Sequence, residues 1–490
     1  METATEGGAR AGMLAPARLG VWGIMFLVAS AAAPLTVVVS AAPMAFRLGG
    51  IGAPGAMVFC GLVLGLFAVG FTAMSAHVPN AGAFYAYALH GLGKGAGIGL
   101  AFVTVFSYAF LCISFYAFFG FFGQLTFSDL LGINMPWWGW SLGAVAIVAL
   151  LGLRQVDVGA KVLTVIVTAE VAILLVLAIC VLANGGPEPL SAASFSPNNV
   201  FLTAGASALL VIGFGAYLGF ESTAIYAEEA RTPKRTIPTA TYLAIAVLAG
   251  FYAFTFWMLT VAFGANGVLA FAGTDNFADM VFNAADGYVG AWAAVMIRLL
   301  IVTSFFACIL AFHNASSRYL FSLGRERVLP RIFARTSAVS QAPATASLAL
   351  SILCGLGGVV AAIAAVDPYL GLALWTYATG VQGLVFGQCA AAIAVVCFFL
   401  RDRRGHTVWR VMIAPVLGAL GLATGFTMIV MNFEITTGME GAVNWILLLP
   451  TPVLFAGGFV YAAVLKRRSP DTHVNLGALR HGDEVDAARH

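Results

Sequence analysis

Apolar runs of similar length recur along the chain from Val21 to Leu465, and short polar segments separate them. The runs are continuous, whereas the strands of a membrane β-barrel alternate between apolar and polar residues. A continuous run of about 20 residues is what an α-helix needs to cross the hydrocarbon core of a bilayer. The pattern therefore predicts an all-α protein with twelve membrane spans, at residues 21–44, 53–76, 96–125, 137–153, 158–183, 201–228, 238–263, 288–317, 344–366, 370–400, 410–431 and 443–465.

The composition supports the same class, because 61% of the 490 residues are hydrophobic and only 9% are charged. So few charges cannot cover the surface of a water-soluble domain. We therefore expect a polytopic membrane protein in contact with lipid. All 7 cysteines fall within apolar runs without the spacing of a metal-ligand set. The sequence thus predicts reduced, packed thiols and neither a metal nor a cofactor.

Basic residues divide the loops into two sets. With the amino terminus in the cytoplasm, nearly all Lys and Arg fall in cytoplasmic segments, and the opposite loops carry Arg47 alone among many acidic residues. This asymmetry follows the positive-inside rule and predicts a cell-membrane protein with both termini cytoplasmic. The net charge of +3 is explained by the lipid leaflet rather than by a nucleic-acid partner. The polar tail after Ser469 is predicted to be disordered.

Two predicted spans contain residues that interrupt helices. The first has Pro34 in mid-membrane, and the sixth has Gly213, Gly215 and Gly219 within seven residues. Spans five apart cross in opposite directions, so matching breaks indicate an inverted repeat with a binding site between its halves. The alternative is that these residues only allow close helix packing. The repeat predicts a tail at 1–20, five-helix units at 21–183 and 201–400, two further helices at 410–465 and a tail at 466–490.

Three segments resemble a known transporter family. They are "GFGAYLGFESTAIYAEEARTPKRTIPTA" from Gly213, "FHNASSRYLFSLGRERVLP" from Phe312 and "VPNAGAFYAYALHGLGKGAG" from Val78. In this order they are similar to motifs of the amino acid, polyamine and organocation transporter superfamily. The resemblance implies a LeuT-like fold of five plus five inverted helices with two peripheral helices at the carboxyl end, broken first and sixth helices, and transport by alternating access.

The resemblance also implies where a substrate binds, since such transporters hold its amino and carboxylate groups at the two breaks. Unpaired backbone groups and helix dipoles attract these charges. The first span departs from the family, because it reads "AAAPLTVVV" where a glycine–serine–glycine break is usual. The implied substrate-binding residues are Ala31, Ala32, Ala33, Pro34, Leu35, Phe214, Gly215, Ala216, Tyr217 and Gly219.

Glu170 lies about twelve residues into the fifth span, which places an ionisable group in mid-membrane. Several members of the family that the chain resembles carry a lysine near this position, which replaces a bound cation and couples transport to protons, and this chain has a carboxylate instead. Desolvation favours its protonated form, which suits a proton carrier. The alternatives are contact with a substrate amine and a structural ion pair with Arg298.

Four other residues are candidates for ion coupling or gating. Glu221 follows the sixth-span break, where it braces the unwound segment or contacts substrate. Arg298 has three alternative roles: its side chain extends towards the membrane surface, neutralises a carboxylate of the protein, or binds a substrate carboxylate. Thr303 and Ser304 occupy the part of the eighth span where sodium-coupled members of the fold supply hydroxyl ligands, although such hydroxyls also bond their own helix backbone.

These observations favour a secondary active importer of amino acids, coupled to protons and less readily to sodium. The first alternative is a carrier or exchanger of polyamines or organic amines. The chain has no HExxH, GxSxG or P-loop motif, which argues against an enzyme and against ATP-driven transport. A channel is disfavoured because the spans show no repeated polar ring. The oligomeric state is not predicted.

Overall fold

Backbone groups in lipid must pair within the chain, and helices meet this requirement segment by segment. The computed structural model describes residues 20–78, 84–154, 160–221, 223, 232–336 and 343–477, and these residues form helices and loops without a β-strand. The principal helices are α1 (Val21–Ala32), α2 (Ala42–Gly49), α3 (Ala53–Ser75), α4 (Phe84–Leu92), α5 (Lys94–Leu131), α6 (Trp137–Arg154), α7 (Ala160–Asn184), α8 (Ala206–Ala216), α9 (Pro233–Phe263), α10 (Ala265–Ala272), α11 (Met280–Tyr288), α12 (Ala291–Arg325), α13 (Ala344–Ile363), α14 (Leu374–Arg401), α15 (Ala414–Met431), α16 (Ala442–Leu448) and α17 (Pro450–Arg468).

Short turns extend several of these helices. Single turns at Pro34–Thr36 and Val37–Ala41 join the α1 break to α2. Wide, π-type turns precede α14 and α15, at Pro368–Ala373 and Trp409–Ile413. The remaining short helices are Ala193–Phe195, Pro197–Phe201, Phe277–Asp279, Arg331–Ala334, Phe433–Thr437 and Pro470–Val474.

Within the described residues, 8 helices are long and apolar enough to cross a membrane, or 9 if α16 and α17, bent by 40° at their junction, form one span. Shorter apolar helices at Pro34–Gly49, Trp137–Gly152 and Ala206–Ala216 coincide with parts of the first, fourth and sixth predicted spans. The protein is therefore an all-α, multi-pass membrane protein, as the apolar pattern predicted. The total of twelve spans remains a prediction.

The first predicted span is broken where Pro34 suggested. The helix α1 ends at Ala32, and Ala33 adopts a left-handed conformation with φ 40° before the chain turns helical again at Pro34. A positive φ is unfavourable for alanine, and Pro34 has no N–H to continue the α1 ladder. The break therefore lies between Ala32 and Pro34, in the interior of the helix bundle.

The sixth predicted span is interrupted at Gly219 but not at Gly213 or Gly215. Gly213 and Gly215 lie inside α8, which continues to Ala216, and turns follow through Glu221, with Gly219 at φ 103°. The α8 glycines serve close packing instead: a Cβ at Gly213 would lie 2.7 Å from the Cys60 sulfur, and one at Gly215 would lie 2.0 Å from the Tyr377 hydroxyl. The rest of this span, at 222 and 224–228, lies outside the described residues.

Two sets of contacts mark opposite ends of the bundle. At the end where α5 finishes, which we call the Asp129 end, Arg298 pairs with Asp129 and Asp279. At the end where α5 begins, the Lys94 end, the Lys94 ammonium donates hydrogen bonds to the carbonyls of His473 and Val474. The site described below lies between these two ends.

The polar tail is ordered further than the sequence predicted. A short helix covers Pro470–Val474, the Leu476 side chain is buried, and the Gly477 N–H donates to the Glu326 carboxylate at 3.2 Å. Glu326 is itself 4% exposed and accepts a hydrogen bond from the Tyr85 hydroxyl at 2.5 Å. The prediction of disorder directly after Ser469 is therefore wrong as far as Gly477, because a buried carboxylate and Lys94 hold the segment. Residues 478–490 lie outside the described part of the chain.

Candidate functional site

A cavity of about 40 Å³ lies between the two interrupted helices. The α1 break and the turns after it form one wall, α8 forms another, and α5, α12 and the start of α14 complete it. The cavity is lined by Ala32, Thr36, Val37, Ser40, Ala41, Met44, Phe115, Phe118, Ile212, Gly215, Leu218, Phe305, Cys308, Phe312, Tyr369, Leu374 and Tyr377.

Paired phenylalanines from α5 and α12 form the apolar side of the cavity. The rings of Phe118 and Phe305 stack with centroids 5.6 Å apart, and those of Phe115 and Phe312 lie 4.9 Å apart. Offset aromatic pairs of this kind pack favourably beyond the area that they bury. They give the cavity a wall that interacts with an apolar occupant but offers it no hydrogen bond.

Tyr369 covers the Asp129 end of the cavity. Its ring packs at 5.1 Å from Phe118 and at 5.2 Å from Phe277, and its hydroxyl donates to the Ser40 carbonyl. Beyond Phe277, the Arg47 guanidinium lies 4.8 Å from that ring centroid and donates to the carbonyls of Ala272 and Thr274. This arrangement separates the cavity from the Asp129 end by two aromatic side chains and an arginine.

Hydroxyl groups cluster on the side of the α1 break. The Thr36 hydroxyl lies 2.9 Å from the Ser304 hydroxyl, and the Ser40 hydroxyl donates to the Thr36 carbonyl at 2.6 Å. The carbonyl of Ala32, at the end of α1, accepts from the Tyr252 hydroxyl at 3.1 Å. Side chains from α9 and α12 therefore hydrogen-bond to both sides of the break, which stabilises a backbone that lacks its regular ladder.

Glu170 lies behind this hydroxyl cluster, near the middle of α7. The residue is 1% exposed, and neither carboxylate oxygen has a hydrogen-bond partner within the described residues. The polar groups that face it are the Ser304 hydroxyl and the backbone N–H of Leu35. A bare ionised carboxylate in such surroundings is strongly disfavoured, so the site favours a bound proton or a bound cation.

The residues implied for substrate binding divide into two groups. Ala32 and Gly215 line the cavity. Ala33 and Pro34 form the break, and Leu35 directs its N–H towards Glu170. Phe214 is buried against Gly425, and a Cβ added at Gly425 would lie 2.4 Å from the Phe214 ring.

Three other residues of that set also lie away from the cavity lining. Tyr217 donates its hydroxyl proton to the Met57 carbonyl at 2.6 Å, and the Gly219 N–H donates to Glu221 at 3.1 Å. Ala216 ends α8 and is buried. Ala31 belongs to α1, and its side chain lies outside the described part.

Glu221 is fully buried and holds the turn after α8. Its two carboxylate oxygens accept hydrogen bonds at 3.1 Å, one from the Tyr108 hydroxyl and the other from the Gly219 N–H. Glu221 does not line the cavity. This is the bracing arrangement that was one of the two alternatives considered from the sequence.

Arg298 and Thr303 do not share a site with Glu170. Arg298 forms ion pairs of 2.8 and 2.9 Å with Asp129 and Asp279 at the Asp129 end, and its guanidinium covers the Phe282 ring at 4.3 Å. The alternative of an ion pair between Arg298 and Glu170 is therefore wrong. Arg298 is the eighth residue of α12, too close to the end of the helix to reach mid-membrane.

Thr303 and Ser304 point to different sides of α12, because adjacent helical residues are separated by about 100° of rotation. Thr303 is exposed on the bundle surface and bonds the Leu300 carbonyl at 2.9 Å, whereas Ser304 is buried beside Thr36. The two hydroxyls therefore do not form one ion site.

Sequence reasoning missed most of the cavity wall. Thr36 and Ser40 follow Pro34 and lie one helical turn apart, so both hydroxyls share one helix face. This signal could have been read from the sequence. Phe115, from α5, also lines the cavity. Tyr369 and Tyr377 come from a segment without any sequence signal for a site.

Comparison with known proteins gives two results. A family model described as "Amino acid permease" matches residues 19–459. The chain is also similar to a Bacillus subtilis (strain 168) protein named "Uncharacterized amino acid permease YecA", with 28% identity over 214 residues. That match covers 43% of this chain and 47% of the relative's length.

Proposed function

Because this chain belongs to the amino acid permease family, we propose that it is a secondary active transporter that imports amino acids by alternating access, in symport with protons. The family match supports a small-molecule substrate. The excess of Lys and Arg on one set of loops supports a plasma-membrane topology of twelve spans with both termini cytoplasmic. In this topology the Asp129 end is extracellular.

The cavity between the breaks is the proposed substrate site. In the helix that restarts at Pro34, the Leu35 N–H faces Glu170 and the next N–H, of Thr36, lacks a preceding helical turn; the helix dipole favours the substrate carboxylate. The ends of α1 and α8 present carbonyls that suit the ammonium group. Ala32, Thr36 and Gly215 bring both kinds of group to the cavity.

One observation supports proton coupling above the others: Glu170 is buried, its oxygens have no hydrogen-bond partner within the described residues, and it lies beside the α1 break. With the cavity closed, the carboxyl group holds a proton. When the cavity opens to the cytoplasm, water solvates the carboxylate and the proton leaves. The Ser304 hydroxyl transmits this change to Thr36, which contacts both the coupling site and the cavity.

Sodium is the second candidate for the coupling ion. The Glu170 carboxylate and the hydroxyls of Thr36 and Ser304 are oxygen ligands of the kind that hard cations prefer. Thr303 contributes nothing to such a site, because it faces outward. A proton needs only the carboxylate, whereas sodium needs more ligands, so the proton is the better match.

The experiment is uptake of radiolabelled amino acids into proteoliposomes, under an imposed pH gradient or sodium gradient. The wild-type protein is expected to accumulate substrate under the pH gradient. Glu170→Gln keeps the shape of the side chain but cannot release a proton, so accumulation should fall to the equilibrium level while exchange of internal for external substrate continues. Accumulation by Glu170→Gln equal to the wild type would contradict the coupling role, and dependence on sodium alone would favour the second ion.

A further inference from the structure

We propose that the transported amino acid has a small, uncharged, apolar side chain. This inference depends on the proposed function, because it assigns a substrate class to the same cavity. It comes from the charge, the size and the distribution of polar atoms in the cavity wall.

The described cavity lining contains no Asp, Glu, Lys, Arg or His. A charged substrate side chain would leave water without a partner of opposite charge, which is strongly unfavourable. Arg47 lies beyond Phe277 and is occupied by two backbone carbonyls. Glu170 lies behind Thr36, outside the lining. A polyamine carries a cation at each end, and neither cation would find a carboxylate in the described lining.

Size limits the substrate further. The cavity measures about 40 Å³, and the Phe115–Phe312 and Phe118–Phe305 pairs bound it with contacts below 6 Å between ring centroids. On the side of α8, Gly215 has no room for even one carbon, because the Tyr377 hydroxyl occupies that space. A long or bulky substrate side chain therefore requires the phenylalanine wall to move.

The polar atoms lie where the main-chain groups of an amino acid would bind. Thr36 and Ser40 carry hydroxyls on the segment after the α1 break, and Tyr377 brings a third hydroxyl from α14. The Tyr377 hydroxyl reaches the backbone of Gly215, because a Cβ at that position would lie 2.0 Å from it. We assign this hydroxyl to the substrate's ammonium or carboxylate group, which leaves the apolar side chain against the phenylalanines.

A competition screen in proteoliposomes tests the inference. Uptake of labelled alanine is measured with unlabelled alanine, valine, leucine, phenylalanine, lysine, arginine, glutamate or putrescine in excess, and each compound is also tested directly for exchange. Alanine and valine should compete strongly, phenylalanine weakly, and the charged compounds not at all. Competition by lysine, arginine or glutamate as strong as that by alanine overturns the substrate class and leaves amino acid transport intact. Exchange of putrescine alone, or of no compound, overturns the proposed function.

A change in the wall tests the size limit. Phe312→Ala should improve competition by phenylalanine relative to alanine about tenfold, because the pocket gains room for a ring. Leu299→Ala, an exposed position on the same helix, is the matched large-to-small control and should leave the ratio unchanged. Phe312→Leu gives a smaller change in the same direction and serves if the alanine variant folds poorly. An unchanged ratio in a folded Phe312 variant contradicts the assignment of this wall to the substrate side chain.

Discussion

The hydroxyl of Ser304 lies 2.9 Å from the hydroxyl of Thr36 and links α12 to the helix that restarts after the α1 break. Ser304 also faces the buried Glu170 carboxyl group, and Thr36 also lines the cavity. The two residues are 268 positions apart in the chain. This pair thus connects the proposed coupling group with the proposed substrate site.

We predict that Ser304→Ala weakens coupling, because Thr36 loses its partner and Glu170 loses the nearest hydroxyl. The net value of one hydrogen bond is about 1 kcal/mol, so the substrate accumulation ratio under a pH gradient should fall about fivefold. Thr303→Ala is the matched control, since it removes a hydroxyl from the adjacent but outward-facing position. Equal effects of the two substitutions in the proteoliposome assay would count against the Ser304–Thr36 connection.

The close approach of Gly215 to Tyr377 leads to a second prediction. A Cβ at position 215 would lie 2.0 Å from the Tyr377 hydroxyl, so Gly215→Ala forces the tyrosine out of its place at a cost of about 1–3 kcal/mol. The melting temperature of the detergent-solubilised protein should fall by several degrees. Gly250→Ala, at a helix position with open space, should leave it unchanged.

The same contact can be tested by a double variant. If the steric conflict is real, Gly215→Ala should have little effect on stability when Tyr377→Ala has already removed the ring, and the two effects should not be additive. Additive losses in melting temperature would show that Gly215 matters for a reason other than its contact with Tyr377.

The class of the protein and the position of the first break followed from the sequence, because a continuous apolar run and a mid-membrane proline each have one dominant physical consequence. The glycines of the sixth span were harder to interpret. Glycine permits both an unwound backbone and a close helix contact, and Gly213 and Gly215 serve the second purpose while Gly219 serves the first. Local sequence does not distinguish these uses.

The partners of the buried charges were also beyond the sequence. An ion pair between Arg298 and Glu170 was one alternative because both residues were placed deep in the membrane, yet Arg298 pairs with Asp129, which lies 169 residues away. Such a pairing depends on the vertical position of each helix, and an uncertainty of several residues in a helix start shifts a side chain by about 1.5 Å per residue. The lining tyrosines were missed because their segment carries no sequence signal for a site.

We predict that Arg298→Ala lowers stability and does not reproduce the effect of Glu170→Gln on coupling. The substitution removes two ion pairs and a ring contact at the Asp129 end. Because Asp129 is half exposed, we expect a loss of only about 1–2 kcal/mol in unfolding free energy. Arg298→Lys keeps the positive charge but not the two guanidinium nitrogens that pair with Asp129 and Asp279. This variant should recover part of the loss in melting temperature. A melting temperature unchanged in Arg298→Ala would mean that these ion pairs contribute nothing to stability.

The segment after Ser469 should be released when Lys94 is removed. The Lys94 ammonium is the donor to two carbonyls of this segment, His473 and Val474, and Gly477 is held separately by Glu326. Charge-assisted hydrogen bonds contribute about 1.5–3 kcal/mol when protected from water, and less here because the contact is partly exposed. Amide hydrogen exchange in residues 470–477 should therefore accelerate about tenfold in Lys94→Ala, while exchange in α17 stays the same. Lys466→Ala removes an exposed lysine close to the same segment and should change neither rate. If the exchange rates of 470–477 are equal in the wild type and in Lys94→Ala, the segment is held in place by its buried Leu476 and by Glu326 alone.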